Sequence, residues 1–455
     1  MTRSIPPLTA AILLTGCNMA PTYVRPAPPV PATLPTGEAY APATPVAMPG
    51  LPWTTLVSDT RLRTVIERAL ANNRDLRAAL ANVQAARAQY RVQRAAQLPT
   101  ITGDASASFA RQDDTRRNSY SADVGFSAFE IDLFGRLRNL SQSALESYLA
   151  TEEGARSTRI ALIAETANAY ATLAADQELL AVARDTLANA QRTLALNNSL
   201  NGAGLSGKLD VYQAQTIVEQ AASDVAANVT QVAQDRNAID LLVGAPVEAA
   251  LLPISLNALA AGIGKAPVGL SSDMLLLRPD VLQAEHQLKA ANADIGAARA
   301  AMFPRISLTS AIGLASSALS SLFTGNGFAW SASPSASLPI FGGPARGNLE
   351  FSKAQRDLYV AQYEKAVQTA FREVADALAR EGTIDAQSQA QARLLIASQR
   401  AYDLAQQRYR SGIDTFLTAL TSQRSLYSAR QSAIATQLAL VSNRVSLYRA
   451  IAADQ

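Results

Sequence analysis

The chain has 455 residues, 48% hydrophobic and 17% charged, which excludes global disorder and leaves room for a large core or one long body. Its 40 basic residues against 37 acidic ones leave a net charge of only +3, so no electrostatic footprint for nucleic acid exists. One cysteine and one histidine exclude a disulfide framework, a cysteine-based zinc site, an iron–sulfur cluster and a histidine-rich metal site, which makes an enzyme a poor expectation.

Residues 1–16, MTRSIPPLTAAILLTG, carry one positive side chain (Arg3), a short apolar run and small residues. That is the pattern of a secretory signal, too short to span a bilayer. It ends in Leu14-Thr15-Gly16-Cys17, which resembles the bacterial lipobox. Cys17 is thus the expected lipidation site, with the covalent lipid the only prosthetic group. The alternative reading of Cys17 is a buried thiol near the start of an ordinary helix. Asn18 follows it, whereas an aspartate there marks inner-membrane retention in enteric lipoproteins. The resemblance therefore favours the outer membrane. No later stretch approaches the 18 or so consecutive apolar residues of a membrane helix.

Residues 17–57 read as a lipidated start and a proline-rich tether, since 18–52 hold ten of the 21 prolines. Roughly one residue in five is alanine, which favours long helices. Residues 135–243 and 345–455 contain no proline. Interior proline costs a helix about 3 kcal/mol, so such gaps are what very long helices require. Leu173, Leu180, Leu187 and Leu194 recur every seven residues, as do Val360, Val367 and Val374, the spacing of a coiled-coil seam. Each stretch breaks once, at Asn201-Gly202-Ala203-Gly204 and at Ser411-Gly412. Each is expected to be a helical hairpin, and a helix of about 60 residues would reach roughly 90 Å.

The chain also reads as an internal duplication. Residues 73–101 align with 278–306 at an offset of 205, with matches that include Asp75/Asp280, Arg94/Arg299, Pro99/Pro304 and Ile101/Ile306. Repeat 1 is expected over 58–243, with a β-hairpin near 99–131 and a helical hairpin near 135–243. A connection over 244–270 leads to repeat 2 over 271–455, with a β-hairpin near 304–340 and a helical hairpin near 344–452.

Between the helices the hydrophobic period switches to two. Tyr120, Ala122, Val124, Phe126 and Ala128 alternate with Ser121, Asp123, Gly125 and Ser127, while Ile306, Leu308, Ile312 and Leu314 alternate with Ser307, Thr309 and Gly313. The four expected strands, of about 11 to 13 residues, suit a tilted outer-membrane strand. Phe109, Tyr120, Phe328 and Trp330 fall near the hairpin tips, and Phe126, Phe129 and Phe303 near the base, as two aromatic girdles would. Four strands cannot close a barrel, and an open edge in lipid leaves backbone groups unsatisfied. Three protomers would supply twelve strands.

In the order and spacing of these parts the sequence resembles the outer-membrane efflux proteins of the TolC and OprM type, in the lipoprotein branch of resistance-nodulation-division systems. The lipobox, the proline-rich start, the paired repeats, FEIDLFGRLRN at 129–139, LPIFGGPARGN at 338–348 and YRSGIDTFLTALTSQRSLYSA at 409–429 carry the resemblance. It implies a mainly α fold with transmembrane β: a homotrimer whose 12-stranded outer-membrane barrel continues into a 12-helix periplasmic tunnel, with 244–270 in an equatorial region. The implied function is a passive channel carrying drugs or other small solutes outward. Its implied partners are an inner-membrane pump, a periplasmic adaptor protein and outer-membrane lipid. A periplasmic adaptor or coiled-coil structural lipoprotein is the alternative, as is a type I protein-secretion duct. An adaptor normally has one helical hairpin flanked by small β domains, and this chain has two repeats with girdled strands.

The resemblance also implies a periplasmic gate. Asp210, in Leu209-Asp210-Val211, falls on an acidic link position, Tyr409 and Arg424 on partner positions in the second hairpin, and Leu417 on an apolar ring. The sequence departs at Thr421, where relatives often carry an aspartate ring. Gly204, Gly207 and Gly412 mark the hairpin tips, the implied adaptor contact. The alternative for Asp210 is an exposed helix-start acid stabilised by the helix dipole. His286 reads as a solvated or packed helix residue, and Asp113-Asp114 and Arg116-Arg117 as a solvated tip. No catalytic or metal-binding residues are expected.

Overall fold

The computed structural model describes residues 18–40, 52–113, 115–265, 271–324, 327–341 and 343–452. The signal segment 1–16, Cys17, Asp114, the end of the expected 244–270 connection and Gly342 lie outside the described residues. In chain order come α1 (Trp53–Leu56), α2 (Thr60–Asn72), α3 (Arg74–Ala95), β1 (Thr102–Gln112), β2 (Thr115–Glu130), α4 (Arg136–Gly202), α5 (Lys208–Val243) and α6 (Leu256–Gly262). Then follow α7 (Pro279–Ala300), β3 (Arg305–Ser316), β4 (Phe328–Ser337), α8 (Ala345–Arg410) and α9 (Phe416–Ile451). The duplication is visible in the bounds. α3 and α7 begin and end 205 residues apart, and α5 and α9 begin and end 208 apart.

The compact units do not follow the repeats. One gathers Ala81–Glu153 and Leu282–Lys365 with the N-terminal segment up to Ala27; the other gathers Pro28–Leu80, Gly154–Val281 and Ala366–Gln455. Each draws on both repeats because like elements of the two repeats pack together.

In the first unit the strands form a single antiparallel sheet in the order β1-β2-β3-β4, not two separate hairpins. Within the described chain, β1 and β4 are the two edges. Pro334, which has no N–H to donate, sits on edge strand β4 opposite Leu308, the kind of place a sheet tolerates proline. β2 runs to 16 residues, longer than expected, and its register shifts between Phe126 and Phe129. Ala128 there takes φ 51 and donates its N–H to Thr309 Oγ1 at 3.0 Å. This bulge corrects the simple alternation: Phe129, not Ala128, follows Phe126 on the apolar face, and the two rings meet edge to face at 6.1 Å.

An extended N-terminal strap lies along α7 in the same unit. Arg299 Nη1 donates to Met19 O at 3.2 Å, Asn292 Nδ2 to Pro21 O at 2.8 Å, and Tyr23 Oη to Glu285 Oε1 at 3.1 Å. Arg25 closes on Glu285 through two bonds of 3.1 and 2.7 Å, and Lys289 adds a third cation contact at 3.1 Å. The contacted positions 285, 289, 292, 296 and 299 form one helical stripe. Its rise over 14 residues, about 21 Å, matches about 20 Å of extended chain from Met19 to Arg25. At Gly296 an added Cβ would lie 2.7 Å from Ala20 Cα, so the approach requires glycine.

The second unit is built on amphipathic packing. α2 begins at Asp59, whose carboxylate accepts the Leu62 N–H at 2.8 Å, and it buries Leu62, Val65, Ile66 and Ala69 completely. Leu173, Val367 and Val374 of the seven-residue series are buried, while Leu187 and Leu194 are half-buried toward the end of α4; Val360, which falls in the first unit, is also half-buried. Arg278 is the polar centre of this unit. Its side chain is 6% exposed, pairs with Asp280 and Glu373, and donates to Ala450 O at 2.8 Å. Arg444 likewise donates to the carbonyls of Ala260 and Ile263 at 2.9 and 2.8 Å.

Candidate functional site

Two structures carry the functional reading: the two-faced sheet of the first unit and the hairpin ends of the second. Cross-strand partners share a face, so the register sorts the side chains. Val124, Ile312 and Trp330 form one row, and Ala122, Leu314 and Phe328 the next. Val124, Ile312, Phe328 and Trp330 are all exposed in the single chain, an apolar surface without a partner. The opposite face carries Asp104, Ser106, Ser121, Asp123, Ser307 and Ser335, with Ser106–Ser121 and Ser307–Ser335 hydroxyl bonds of 2.9 and 2.8 Å. At the base, Glu130 is nearly buried and accepts from Arg136 at 2.8 and 2.7 Å and from Arg305 at 2.6 Å. One carboxylate thus ties the end of β2 to the starts of α4 and β3. Gly135 (φ 77) makes the corner, and Phe134 stacks on Phe303 at 4.8 Å.

The two hairpin ends repeat one motif. Gly204 (φ 75) and Gly412 (φ 71) adopt the left-handed conformation, and the following N–H reaches five residues back, Leu205 to Leu200 O at 2.8 Å and Ile413 to Arg408 O at 2.9 Å. This is the Schellman stop, which needs glycine at the left-handed position. Leu205 and Ile413 project from the ends, 75% and 64% exposed. Gly207 caps α5 without a side-chain bond, and Asp210 stands in the first turn of that helix. Arg408 grips Asp414 through bonds of 2.7 and 3.0 Å at the second end.

Behind these ends Ala214, Phe416 and Leu420 form a small core on which Leu194, Ile217 and Tyr409 pack. The Tyr409 hydroxyl donates to Asn197 Oδ1 at 2.7 Å, not to Asp210. Asp210 still acts on it at longer range: burial first, and the Asp210 charge second, push the Tyr409 hydroxyl's pKa above its ordinary value, while the Asn197 bond lowers it. Leu417 is exposed, and the Thr421 hydroxyl is turned back onto Leu417 O at 2.9 Å. Arg424 lines a cavity of about 280 Å³ with Asp224 and Tyr427, whose hydroxyl donates to Asp224 Oδ2 at 2.8 Å. Tyr409 and Asp210 are therefore near neighbours, Leu417 and Thr421 are linked, and Arg424 belongs to a separate group.

Sequence reasoning missed Asn197. A buried asparagine inside a helix, with its amide turned onto Thr193 O at 3.0 Å, has no local pattern to mark it. It also missed the Glu146 carboxylate that meets His286 Nδ1 at 2.6 Å. Among the described residues no group of three or more His, Cys, Asp or Glu could hold a metal, and no helix is long and apolar enough to cross a membrane.

Residues 65–245 and 270–453 match the family described as outer membrane efflux protein. The chain belongs to that family. The solvent efflux pump outer membrane protein SrpC of Pseudomonas putida is 45% identical over 462 residues, 98% of this chain and 97% of the relative. The outer membrane protein OprJ of Pseudomonas aeruginosa is 42% identical over 429 residues, 92% of this chain and 89% of the relative. Among solved structures, a membrane protein from Pseudomonas aeruginosa has a TM-score of 0.89 and 40% identity, covering 96% of this chain and all of that one. The open state of the Neisseria gonorrhoeae MtrE outer membrane channel has a TM-score of 0.85 and 34% identity, covering 96% and 99%. The protein is an outer-membrane efflux protein, mainly helical, with one sheet and a duplicated domain.

Proposed function

We propose that three copies of the chain form a passive duct through the outer membrane, the exit component of a tripartite efflux system. The observation that carries this is the sheet. Its four strands are open at both edges, apolar on one face and lined with serine and aspartate on the other. In lipid such edges must be paired, and three copies give twelve strands, an even number that closes. The apolar face then meets lipid and the serine face a wet lumen.

An inner-membrane pump supplies the free energy and an adaptor joins it to the duct; relatives such as SrpC are named as components of efflux pumps. Drugs or other small solutes are the proposed cargo. Catalysis has no part in it. Cys17 carries the lipid, and the chain divides into signal 1–16, tether 17–57, repeats 58–243 and 271–455, and the connection 244–270. Asp210, Tyr409, Leu417, Thr421 and Arg424 form the proposed gate, and the ends at Gly204, Gly207 and Gly412 the adaptor contact. Without an acidic ring at Thr421, divalent cations should block weakly from that side, and Thr421→Asp should create the block.

The test is planar-bilayer conductance of the purified protein together with its mass in detergent. A trimer that conducts is expected. A conducting monomer would overturn the closure argument, and a trimer that never conducts would overturn the duct.

A further inference from the structure

Two helices of the first unit each keep one small, apolar face uncovered. On α3 the residues Ala81, Ala85, Ala88, Val92 and Ala95 recur at alternating steps of four and three. On α8 Gly347, Phe351, Ala354, Leu358 and Ala361 do the same, and all ten residues are exposed. This is the spacing of a coiled-coil seam. Val92, Phe351 and Leu358 are 64%, 63% and 49% exposed, and a Cβ added at Gly347 would meet nothing within 4 Å. The opposite face of α3 is already used, since Val83 is buried and Tyr90 stacks on Tyr148 of α4 at 6.4 Å.

The duplication shows what covers such a seam. At the places of Ala85, Ala88, Val92 and Ala95, 205 residues on, α7 carries Ala290, Ala293, Ala297 and Ala300, and all four are buried. There α4 lies against α7: Glu146 meets His286 Nδ1 at 2.6 Å, and Ser143 lies beside Asp294. The counterpart of α4 in the second repeat is α8, because the two begin 209 and end 208 residues apart. Within one protomer α8 leaves α3 bare, so the matching pair takes two copies.

The register follows from the same elements. β1 starts seven residues after α3 ends, and β4 ends eight residues before α8 starts, so those helix ends stand at nearly one height. Running antiparallel from there, Gly347 faces Val92, Phe351 faces Ala88, Ala354 faces Ala85 and Leu358 faces Ala81. Carrying His286–Glu146 and Asp294–Ser143 over to their repeat counterparts gives the same register to within about one turn. Three of the four layers set a large side chain against a small residue, as close packing requires.

We propose that α3 of one copy and α8 of the next form an antiparallel helical seam, with Phe351 and Leu358 seated on Ala88 and Ala81 and Val92 on Gly347. The inference rests on the three-copy reading above and adds which helices join and in what register. The two surfaces differ, so the contact runs head to tail and closes only as a ring. It continues the edges of strands β1 and β4, to which α3 and α8 connect.

Paired cysteines test it in the full-length protein. Val92→Cys/Gly347→Cys, treated in membranes with o-phenylenedimaleimide, should give covalent dimers and trimers on denaturing gels. Neither single-cysteine variant should, which also controls for Cys17. Val92→Cys/Leu358→Cys, whose positions stand about 16 Å apart along the axis, should give none. Gly347→Val should overpack its layer and lower the trimer fraction in detergent about tenfold, and adding Val92→Ala should restore it. A loss that Val92→Ala leaves unrepaired would overturn the layer pairing. Trimers by mass without the crosslink between positions 92 and 347 would overturn the seam and leave the three-copy reading standing. Absence of trimers in the unmodified protein would take both down. Capture of a different protein by Gly347→Cys would give this face to another partner and overturn the seam.

Discussion

The Tyr409 hydroxyl, at the end of α8, donates a 2.7 Å hydrogen bond to Oδ1 of Asn197, a fully buried side chain near the end of α4. It joins the two helical hairpins of one protomer at the level of the apolar cluster of Ala214, Phe416 and Leu420. Removing one partner of a buried bond costs about 1–3 kcal/mol, because the remaining group stays desolvated. Tyr409→Phe alone should therefore loosen the proposed gate and raise single-channel conductance. Asp210→Ala alone should change little, since it acts on Tyr409 through its charge while the hydroxyl's hydrogen bond goes to Asn197. Equal effects of the two substitutions in bilayer recordings would contradict this ranking.

A second relationship links pH to stability. Asp176 on α4 and Asp235 on α5 face each other, and Asp235 Oδ2 is buried without a hydrogen-bond partner among the described residues. Burial first, and the neighbouring Asp235 carboxylate second, push the Asp176 carboxyl up to about 7 from 3.8. The folded state then holds a proton that the unfolded chain has already released, so stability falls as pH rises from about 4 to about 7 and levels off above. At the equivalent positions of the second repeat, 208 residues on, stand Ile384 and Asn443, and the Asn443 amide donates to Ala377 O and Glu381 Oε2 at 3.1 Å each. Asp235→Asn copies that neutral solution. It should raise the melting temperature at pH 8, have little effect at pH 5, and flatten the profile between. A profile unchanged by the substitution would show that Asp235 does not raise the Asp176 carboxyl.

Arg278 offers a test of the second unit's polar core. Arg278→Met keeps the volume but strands Asp280, Glu373 and the Ala450 carbonyl. Breaking such a pair costs about 3 kcal/mol, and Arg278→Lys should recover only part, having no fork with which to reach all three. Urea denaturation followed by circular dichroism would rank the three proteins; a lysine variant as stable as the original would argue against the fork.

Gly296 tests the strap. Gly296→Ala places a Cβ 2.7 Å from Ala20 Cα, and the strap's backbone must move. The Met19 and Pro21 carbonyl bonds should be lost, and chymotryptic cleavage after Tyr23 should accelerate by about tenfold as local opening becomes easier. Gly347→Ala, where nothing lies within 4 Å, should leave the rate unchanged. Equal rates in both variants would show that the strap is held elsewhere.

Much of this protein is determined by its sequence alone. Proline-free stretches ending in Asn201-Gly202-Ala203-Gly204 and Ser411-Gly412 set the long helices and their stops, because proline and left-handed glycine act through the backbone within a few residues. The period-two alternation set the strands and their two faces for the same local reason. Tertiary structure decided the rest. The union of two hairpins into one sheet, the bulge that puts Phe129 beside Phe126, and the choice of Asn197 rather than Asp210 as the partner of Tyr409 each depend on residues from 3 to more than 200 positions apart. Several partners were chemically eligible at each site. Only the packed helices and the register of β2 against β3 fixed which one lies within hydrogen-bond reach, because that reach is about 3 Å and a sequence pattern carries no distances.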